Sequence, residues 1–248
     1  MKNPLKLLAV FAHPDDETYG PGGSLARYAI EGASVHLLIF TAGEAGTIGV
    51  SKELSRQELM RRRTRELAGA CEALGIRTHR IVGMPDSGLD RIPFDRGVRA
   101  VSEEIEAHRP QVLVTFHRDG VSGHPDHLAV TSFVHEAFYR AGPEGPVKLY
   151  EWAVPESLAS SYRGRRIFAA RDDEITTVVP IPEEAMDRKL EAIARHETQI
   201  EFYHRLVEMF GDYRNATCEE HFVLAKSRLH PPPEEKDDLF AGIRSRPA

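Results

Sequence analysis

The strongest constraint on this chain is a rhythm. Short apolar runs alternate with helical patterns through its first two thirds. Leu5–Ala12, Val35–Phe40, the stretch near Arg80–Val82 and Val112–Phe116 read as strands. Helices are expected over Ser24–Glu31, from Ser55 to Gly75, over Phe94–His108, and from Pro125 to about Arg140. Ser55, with Glu58 three residues on, has the pattern of a capping box. Met60, Leu67, Cys71 and Leu74 follow it on one helical face, and Gly75 stops the helix. Strand, helix, strand in this order closes through right-handed crossovers, so the sheet is mostly parallel and covered on both faces.

The last third breaks the rhythm. Leu149–Val154 and Ile175–Val179 read as further strands, Pro182 to about Met209 as one long helical pattern, and Phe222–Ala225 as a final strand. The fold class is therefore α/β: a Rossmann-like, mostly parallel sheet flanked by helices, with a smaller C-terminal β/α extension. Residues 1–248 form a single expected domain, a length that supplies a full core. The tail from about residue 230 to 248, rich in proline and charge, reads as a flexible end or a subunit contact.

Composition removes several classes. The net charge of −6 offers no general basic field for nucleic acid or an anionic membrane, the cluster Arg61–Arg65 apart. No apolar run is long enough to span a bilayer. The start, with Lys2 and Lys6, runs into acids rather than a small-residue cleavage site and reads as a mature first strand. The two cysteines, Cys71 and Cys218, lie far apart and fit a reducing cytoplasm better than a disulfide framework.

Chemistry enters where the first strand ends. "FAHPDDETYGPGG", Phe11 to Gly23, places a histidine and three consecutive acids directly after a buried run. Burying charge is costly unless it is paired or bound to metal. His13 and Asp16 stand three apart with Pro14 between them; "SGHPDH" sets His124 and His127 three apart in the same way. Both clusters follow a strand's carboxyl end, where open α/β sheets bind ligands. Two histidines and one carboxylate suit a hydrolytic zinc site with an open position. Of the neighbours Asp15 and Asp16, one can bind metal while the other takes a proton from the metal-activated water. Asp126 can hold a ring nitrogen of a histidine, leaving His124 to stabilise an oxyanion or protonate a leaving amine.

"AHPDDE" followed by "GPGGSLA", with "GHPDH" about a hundred residues later, resembles the LmbE-like or PIG-L-type zinc-dependent de-N-acetylases. "TAGEAGT", "RTRELAGACEALG", "MPDSGL" and "KLEAIARHETQ" extend the likeness over most of the chain. The resemblance implies removal of acetyl groups from N-acetylglucosamine-type sugars or their conjugates, with a small-molecule partner and a homo-oligomeric state. By position it makes His13, Asp16 and His127 the metal ligands and Asp15 the general base. His124 becomes the electrostatic stabiliser and Asp126 its orienting partner. Arg63 and Asp86 fall on the substrate side, and His196 and Gln199 match a late element without an assigned role. Ser122 and Thr47 depart from residues that some members carry, a tyrosine and an acid, which bears on the substrate rather than the reaction. The ligand set admits Zn2+ or Fe2+.

Some residues have plainer readings. Glu17 suits a first-turn acid answering a helix dipole. Gly22 and Gly23 lack the spacing of a dinucleotide fingerprint. Most of Arg61–Arg65 must face solvent, and the remaining histidines, His117 being closest to a strand end, read as surface or core residues. Two rival functions remain at this point: an amidase or esterase for another N-acyl substrate, and a non-catalytic metal-containing binding protein.

Overall fold

The computed structural model describes residues 4–46, 53–162, 166–231 and 236–243. In chain order the elements are β1 (Lys6–Phe11), α1 (Asp16–Tyr19), α2 (Gly22–Ile30), β2 (Ser34–Ile39), α3 (Arg56–Leu74), β3 (Thr78–Ile81), α4 (Phe94–His108), β4 (Val112–Phe116), α5 (Gly120–Gly123) and α6 (Pro125–Arg140). They continue with β5 (Lys148–Ala153), α7 (Glu156–Ala159), β6 (Thr177–Pro180), α8 (Glu183–Arg195), α9 (Ile200–Phe210), α10 (Tyr213–Ala216) and β7 (Glu219–Ser227).

The seven strands form one sheet in the order β3-β2-β1-β4-β5-β7-β6. β1 to β5 pair in parallel, and β7 is antiparallel to both β5 and β6. Leu7 to Ala12 are fully buried, as a strand covered on both faces requires. The larger of these side chains, Leu7, Leu8, Val10 and Phe11, each contribute about 1.5–3 kcal/mol by leaving water. The strand order reverses between β1 and β4, and in doubly wound sheets ligands bind at that crevice.

Local signals act as expected in the parallel half. Ser55 caps α3 through a full capping box with Glu58, and Gly75 ends it in the left-handed region at φ 75°. Leu67, Cys71 and Leu74 face the core, while Met60, at the first turn, is 38% exposed.

The C-terminal third differs from expectation in three ways. The pattern from Pro182 to Met209 is two helices, not one. The chain leaves α8 at His196, passes through a 3-10 turn at Glu197–Gln199 and enters α9. His196 departs there because its ring is buried against Glu17 of α1. The last strand is longer than Phe222–Ala225, because β7 serves two neighbours at once. The described part of the tail packs on this chain's own core: Leu239 and Phe240 are fully buried. The Leu239 amide donates to the Tyr28 hydroxyl, and the Phe240 ring meets Tyr28 edge-on.

Candidate active site

The site sits at the reversal. The turn after β1 carries His13 to Asp15 into Asp16 at the start of α1, and the segment after β4 runs through α5 to His124 and on to Asp126 and His127 in the first turn of α6. The two sequence clusters, 113 residues apart from His13 to Asp126, meet there. His13 Nδ1 lies 3.3 Å from His127 Nε2 and 3.4 Å from Asp16 Oδ2. His127 Nε2 lies 3.4 Å from Asp16 Oδ1. A tetrahedral ion with N and O ligands at ~2.0–2.1 Å has ligand-to-ligand edges of about 3.3–3.4 Å. The triangle therefore fits one face of such an ion.

The remaining ring nitrogens are tied off in the way a metal site needs. His127 Nδ1 donates to the Gly120 carbonyl at 2.9 Å, which leaves Nε2 with its lone pair. His13 Nε2 faces Asp86 Oδ1 at 3.1 Å and Asp126 Oδ2 at 3.3 Å, which frees Nδ1. Phe116, the last residue of β4, stacks on His127 at 3.9 Å and fixes the plane of the ring. Glycine is needed at position 120, where φ is +68° and a Cβ would press on the His127 Cβ.

Charge supports the same conclusion. Asp15, Asp16, Asp86 and Asp126 gather around the histidines, and Arg63 is the only arginine paired with them among the described residues. Burial opposes a charge on His13, but hydrogen bonds to Asp126, Asp16 and Asp86 overcome it and raise its pKa well above the ordinary 6.5. Burial likewise works against Asp16, yet the His127 and His13 imidazoles hold it well below the carboxylate range. Asp86 is desolvated too, but His13 brings it down to about 2. A divalent cation held by this group would answer the excess of negative charge. His13, His124 and Asp126 form a second converging group. It is the poorer candidate, because both Asp126 oxygens already accept backbone N–H bonds, from Ser87 and Leu89.

Asp15 stands apart from its neighbour. It caps α1 at φ 121°, a conformation that costs a non-glycine residue on the order of 1–3 kcal/mol. Its amide donates to Glu17 Oε2 at 2.9 Å, and its Oδ1 pairs with Arg63 at 3.1 Å. Burial pushes its pKa up to about 6 against the pull of Arg63. Of the four non-glycine residues with positive φ among the described residues, Asp15, Ser87 and Val121 line the same cavity. Strain is thus concentrated at the site.

Several residues take positions other than those expected. Asp126 turns its carboxylate to His13, not to the His124 ring. His124 is the N-cap of α6, and its Nδ1 accepts the Asp126 amide at 3.2 Å. That bond occupies the Nδ1 lone pair, so the tautomer it fits carries its ring proton on Nε2. Arg63 lines the cavity, but its guanidinium is engaged by protein: Nη1 donates to Gly43 O at 3.0 Å, and Nη2 to Pro14 O and Asp15. Asp86 lines the cavity as well, and it orients His13. Ser122 Oγ lies 3.4 Å from His127 Nδ1. His117 is buried and is not among the cavity-lining residues. Thr47 falls outside the described residues.

Sequence reasoning undervalued two buried acids. Glu17 does stand in the first turn of α1 and accepts the N-cap amide of Asp15, but it is also fully buried, and its Oε1 meets His196 Nε2 at 2.8 Å. Both residues stand in motifs that resemble the family, and that was the available signal. Glu220 of β7 accepts the amides of Gly23 and Ser24 at 2.9 and 2.8 Å and pairs with buried Lys189 at 2.7 Å. Its carboxylate fills the α2 N-terminus, where a dinucleotide phosphate would otherwise bind.

The cluster opens into a cavity of about 610 Å³. Its polar end holds His13, Asp15, Asp16, Asp86, His124 and His127; its far wall is aromatic and aliphatic.

A seven-stranded, mostly parallel sheet with this crevice is the LmbE-like deacetylase fold. The family model described as PIG-L, GlcNAc-PI de-N-acetylase, matches residues 8–138, and the chain belongs to that family. It is 34% identical to the 1D-myo-inositol 2-acetamido-2-deoxy-alpha-D-glucopyranoside deacetylase of Nakamurella multipartita, over 80% of each chain. Among solved structures, the N,N'-diacetylchitobiose deacetylase of Pyrococcus horikoshii aligns with a TM-score of 0.66 at 18% identity, over 89% of this chain and 84% of that one. The 4-carboxy-2-hydroxymuconate hydratase GalB of Pseudomonas putida aligns with a TM-score of 0.69 at 20% identity, over 92% and 99%. At such identities the likeness is one of fold, and the fold also serves a hydratase.

Proposed function

We propose that this chain is a metal-dependent amidase that removes the N-acetyl group from an N-acetylglucosamine-type sugar or conjugate. The observation that carries this reading is the His13–Asp16–His127 triangle, with edges of 3.3 to 3.4 Å and both imidazole tautomers set by outer partners. The curated relative's activity on an N-acetylated glucosamine–inositol supports the substrate class. Zinc is the proposed ion, and iron(II) suits the same ligands. The two free, separated thiols support a reducing compartment such as the cytoplasm.

A divalent ion held by His13, Asp16 and His127 would polarise an amide carbonyl and lower the pKa of a water towards ~7. Asp15, lifted to about 6 by burial, is a base matched to neutral pH and accepts the proton of the attacking water. Arg63 holds one oxygen of Asp15 and leaves the other for that water. The His124 Nε2–H faces the developing oxyanion as a preorganised donor. The proton gained by Asp15 passes to the departing nitrogen, and acetate and the free amino sugar leave.

The test pairs metal analysis with amine release from N-acetylglucosamine, its methyl glycoside and N-acetylglucosaminyl-inositol. Bound metal with turnover of any of these supports the reading. Bound metal with turnover only of other N-acyl compounds makes the chain a different amidase. Bound metal with no turnover at all makes it a binding protein.

A further inference from the structure

Between β4 and α6 the chain makes a four-residue turn, α5, on which the proposed chemistry leans twice. Its first residue, Gly120, offers the carbonyl that holds His127 Nδ1 at 2.9 Å. Its last, Gly123, leads straight into His124. Three of its residues have positive φ: Gly120 at 68°, Val121 at 61° and Gly123 at 70°. Glycine tolerates that region. Val121 is β-branched and, with ψ at −51°, stands near the classic γ-turn, a rare and strained conformation. Such a conformation persists only where its surroundings over-determine it.

The local chain supplies part of the restraint: the Gly120 amide donates to the His117 carbonyl at 2.7 Å. The rest comes from a segment well down the chain. The Phe168 amide donates to the Val121 carbonyl at 2.7 Å. The Phe168 ring lies so close on Gly123 that a Cβ there would fall well inside van der Waals contact with it. This segment is itself pinned. The Ala170 amide donates to Val154 O at 2.9 Å, and the Ala170 carbonyl accepts the Glu156 amide at 2.9 Å. Val121, Ser122 and His124 line the cavity and Phe168 does not, so any effect of Phe168 on the reaction passes through the turn.

We infer that Phe168 is a positioning residue: its ring and amide hold α5 in its positive-φ shape, and that shape aims His127 at the metal and His124 at the reacting carbonyl. The inference rests on the metal-dependent deacylase reading and adds a residue to it. Relaxation at Val121 would exchange a strained conformation for an ordinary one and carry the Gly120 carbonyl away from His127. A hole above Gly123 gives that relaxation room. Packing lost at Phe168 is then felt at the ligand and at the oxyanion donor.

The series Phe168→Leu, Phe168→Val and Phe168→Ala tests this by cobalt(II) affinity and absorption spectrum, by amine release at saturating metal, and by the urea midpoint. Cobalt affinity falls in that order, by about tenfold or more at the small end. The kcat falls alongside it while KM stays within about twofold. A series flat in cobalt affinity, spectrum and kcat overturns the inference, even where the urea midpoint falls, because lost packing alone moves only the midpoint. Where Phe168→Ala does not fold, the grading from Phe to Leu to Val decides. Gly123→Ala closes a double-mutant cycle. Its methyl strikes the ring in the parent and has room in Phe168→Val, while the penalty of positive φ is the same in both backgrounds. Its cost in cobalt affinity is therefore smaller by about threefold or more in Phe168→Val. Equal costs in the two backgrounds overturn the inference. A parent chain that binds no divalent ion removes the metal reading and this inference with it. A parent that binds cobalt and turns over no N-acyl compound removes the deacylase reading alone, and the cobalt series still decides whether Phe168 positions His127.

Discussion

The two edges of one sheet treat polar groups in opposite ways. At the amino edge Lys6 Nζ donates to the His108 carbonyl at 2.8 Å, its amide donates to Gln111 Oε1 at 2.8 Å, and His36 pairs with Thr78 across β2 and β3 at 2.7 Å. Each group there closes its own account locally, by a cap or a cross-strand bond. At the carboxyl edge the polar groups answer one another: Asp126 and Asp86 hold His13, Gly120 holds His127, and Arg63 holds Asp15. That arrangement leaves two imidazole lone pairs and a carboxylate aimed at one point. Burial alone is common to both edges; convergence with free ligand atoms is what marks the site.

Asp15→Asn breaks the contrast most sharply. The variant keeps the shape and loses the base, so kcat falls by about 10²–10⁴ with metal content unchanged. Lys6→Met at the opposite edge removes a buried-edge contact of comparable length and leaves kcat as in the parent. Equal losses in the two variants, read in the same amine-release assay, would remove the functional distinction between the edges.

Glu17→Gln comes next. It strips the partner from His196, and the side chains of both are fully buried. Removing one member of a buried pair costs about 3–5 kcal/mol, read as a fall in the urea midpoint at constant m. The double variant Glu17→Gln, His196→Gln, with no orphaned charge, recovers part of that loss. Additive losses would mean that the pair does not act as a unit.

Asp126→Asn is smaller again. The side chain orients His13 without touching the ion, so metal affinity falls by about 10–100-fold. Activity returns at saturating metal. Chelator-stripped parent protein regains activity with zinc or iron(II) at concentrations well below those the variant needs. Identical metal titration curves for parent and variant would show that His13 does not depend on Asp126.

How much of this was legible in the sequence follows the same divide. The proposed metal ligands and the proposed base are packed into two short motifs. Each follows directly on a strand end, so "HPDD" and "HPDH" could be placed once the parallel order was inferred. Capping signals such as Ser55, Glu58 and Gly75 act within a few residues and were readable for the same reason. What failed was long-range. Glu17 reaches His196 across 179 residues, and Glu220 reaches Gly23 across 197. Neither pairing leaves a periodic trace. The break at His196 is invisible to helical periodicity, because α8 and α9 are each amphipathic and the turn between them exists to bury one ring. The orientation of Asp126 was misread because a carboxylate beside two histidines in sequence can turn to a third from another loop.

His36 supplies the smallest and cleanest test of the contrast. It lies on β2, buried, stacked on His108 at 3.8 Å, with no carboxylate among the causes acting on it. Burial, then the neighbouring His108, Lys6 and Arg77, lowers its pKa from 6.5 to about 4. A histidine depressed in the fold stays neutral while the unfolded chain takes up its proton. Its contribution to stability is therefore complete above pH 6.5 and is lost as pH falls through about 4. Discounted for screening by nearby solvent, the loss is ~2 kcal/mol. His13 at the other edge titrates in the opposite sense, raised rather than lowered. A single stability profile mixes the two, and the difference between the parent and His36→Gln isolates the amino edge. That difference should grow as pH is lowered from 6.5 to 4, because the substituted amide keeps a hydrogen bond to Thr78 and takes up no proton. A flat difference over that window would mean that the His36 ring is solvated and charged in the fold, and that the two edges differ less in their electrostatics than their geometry implies.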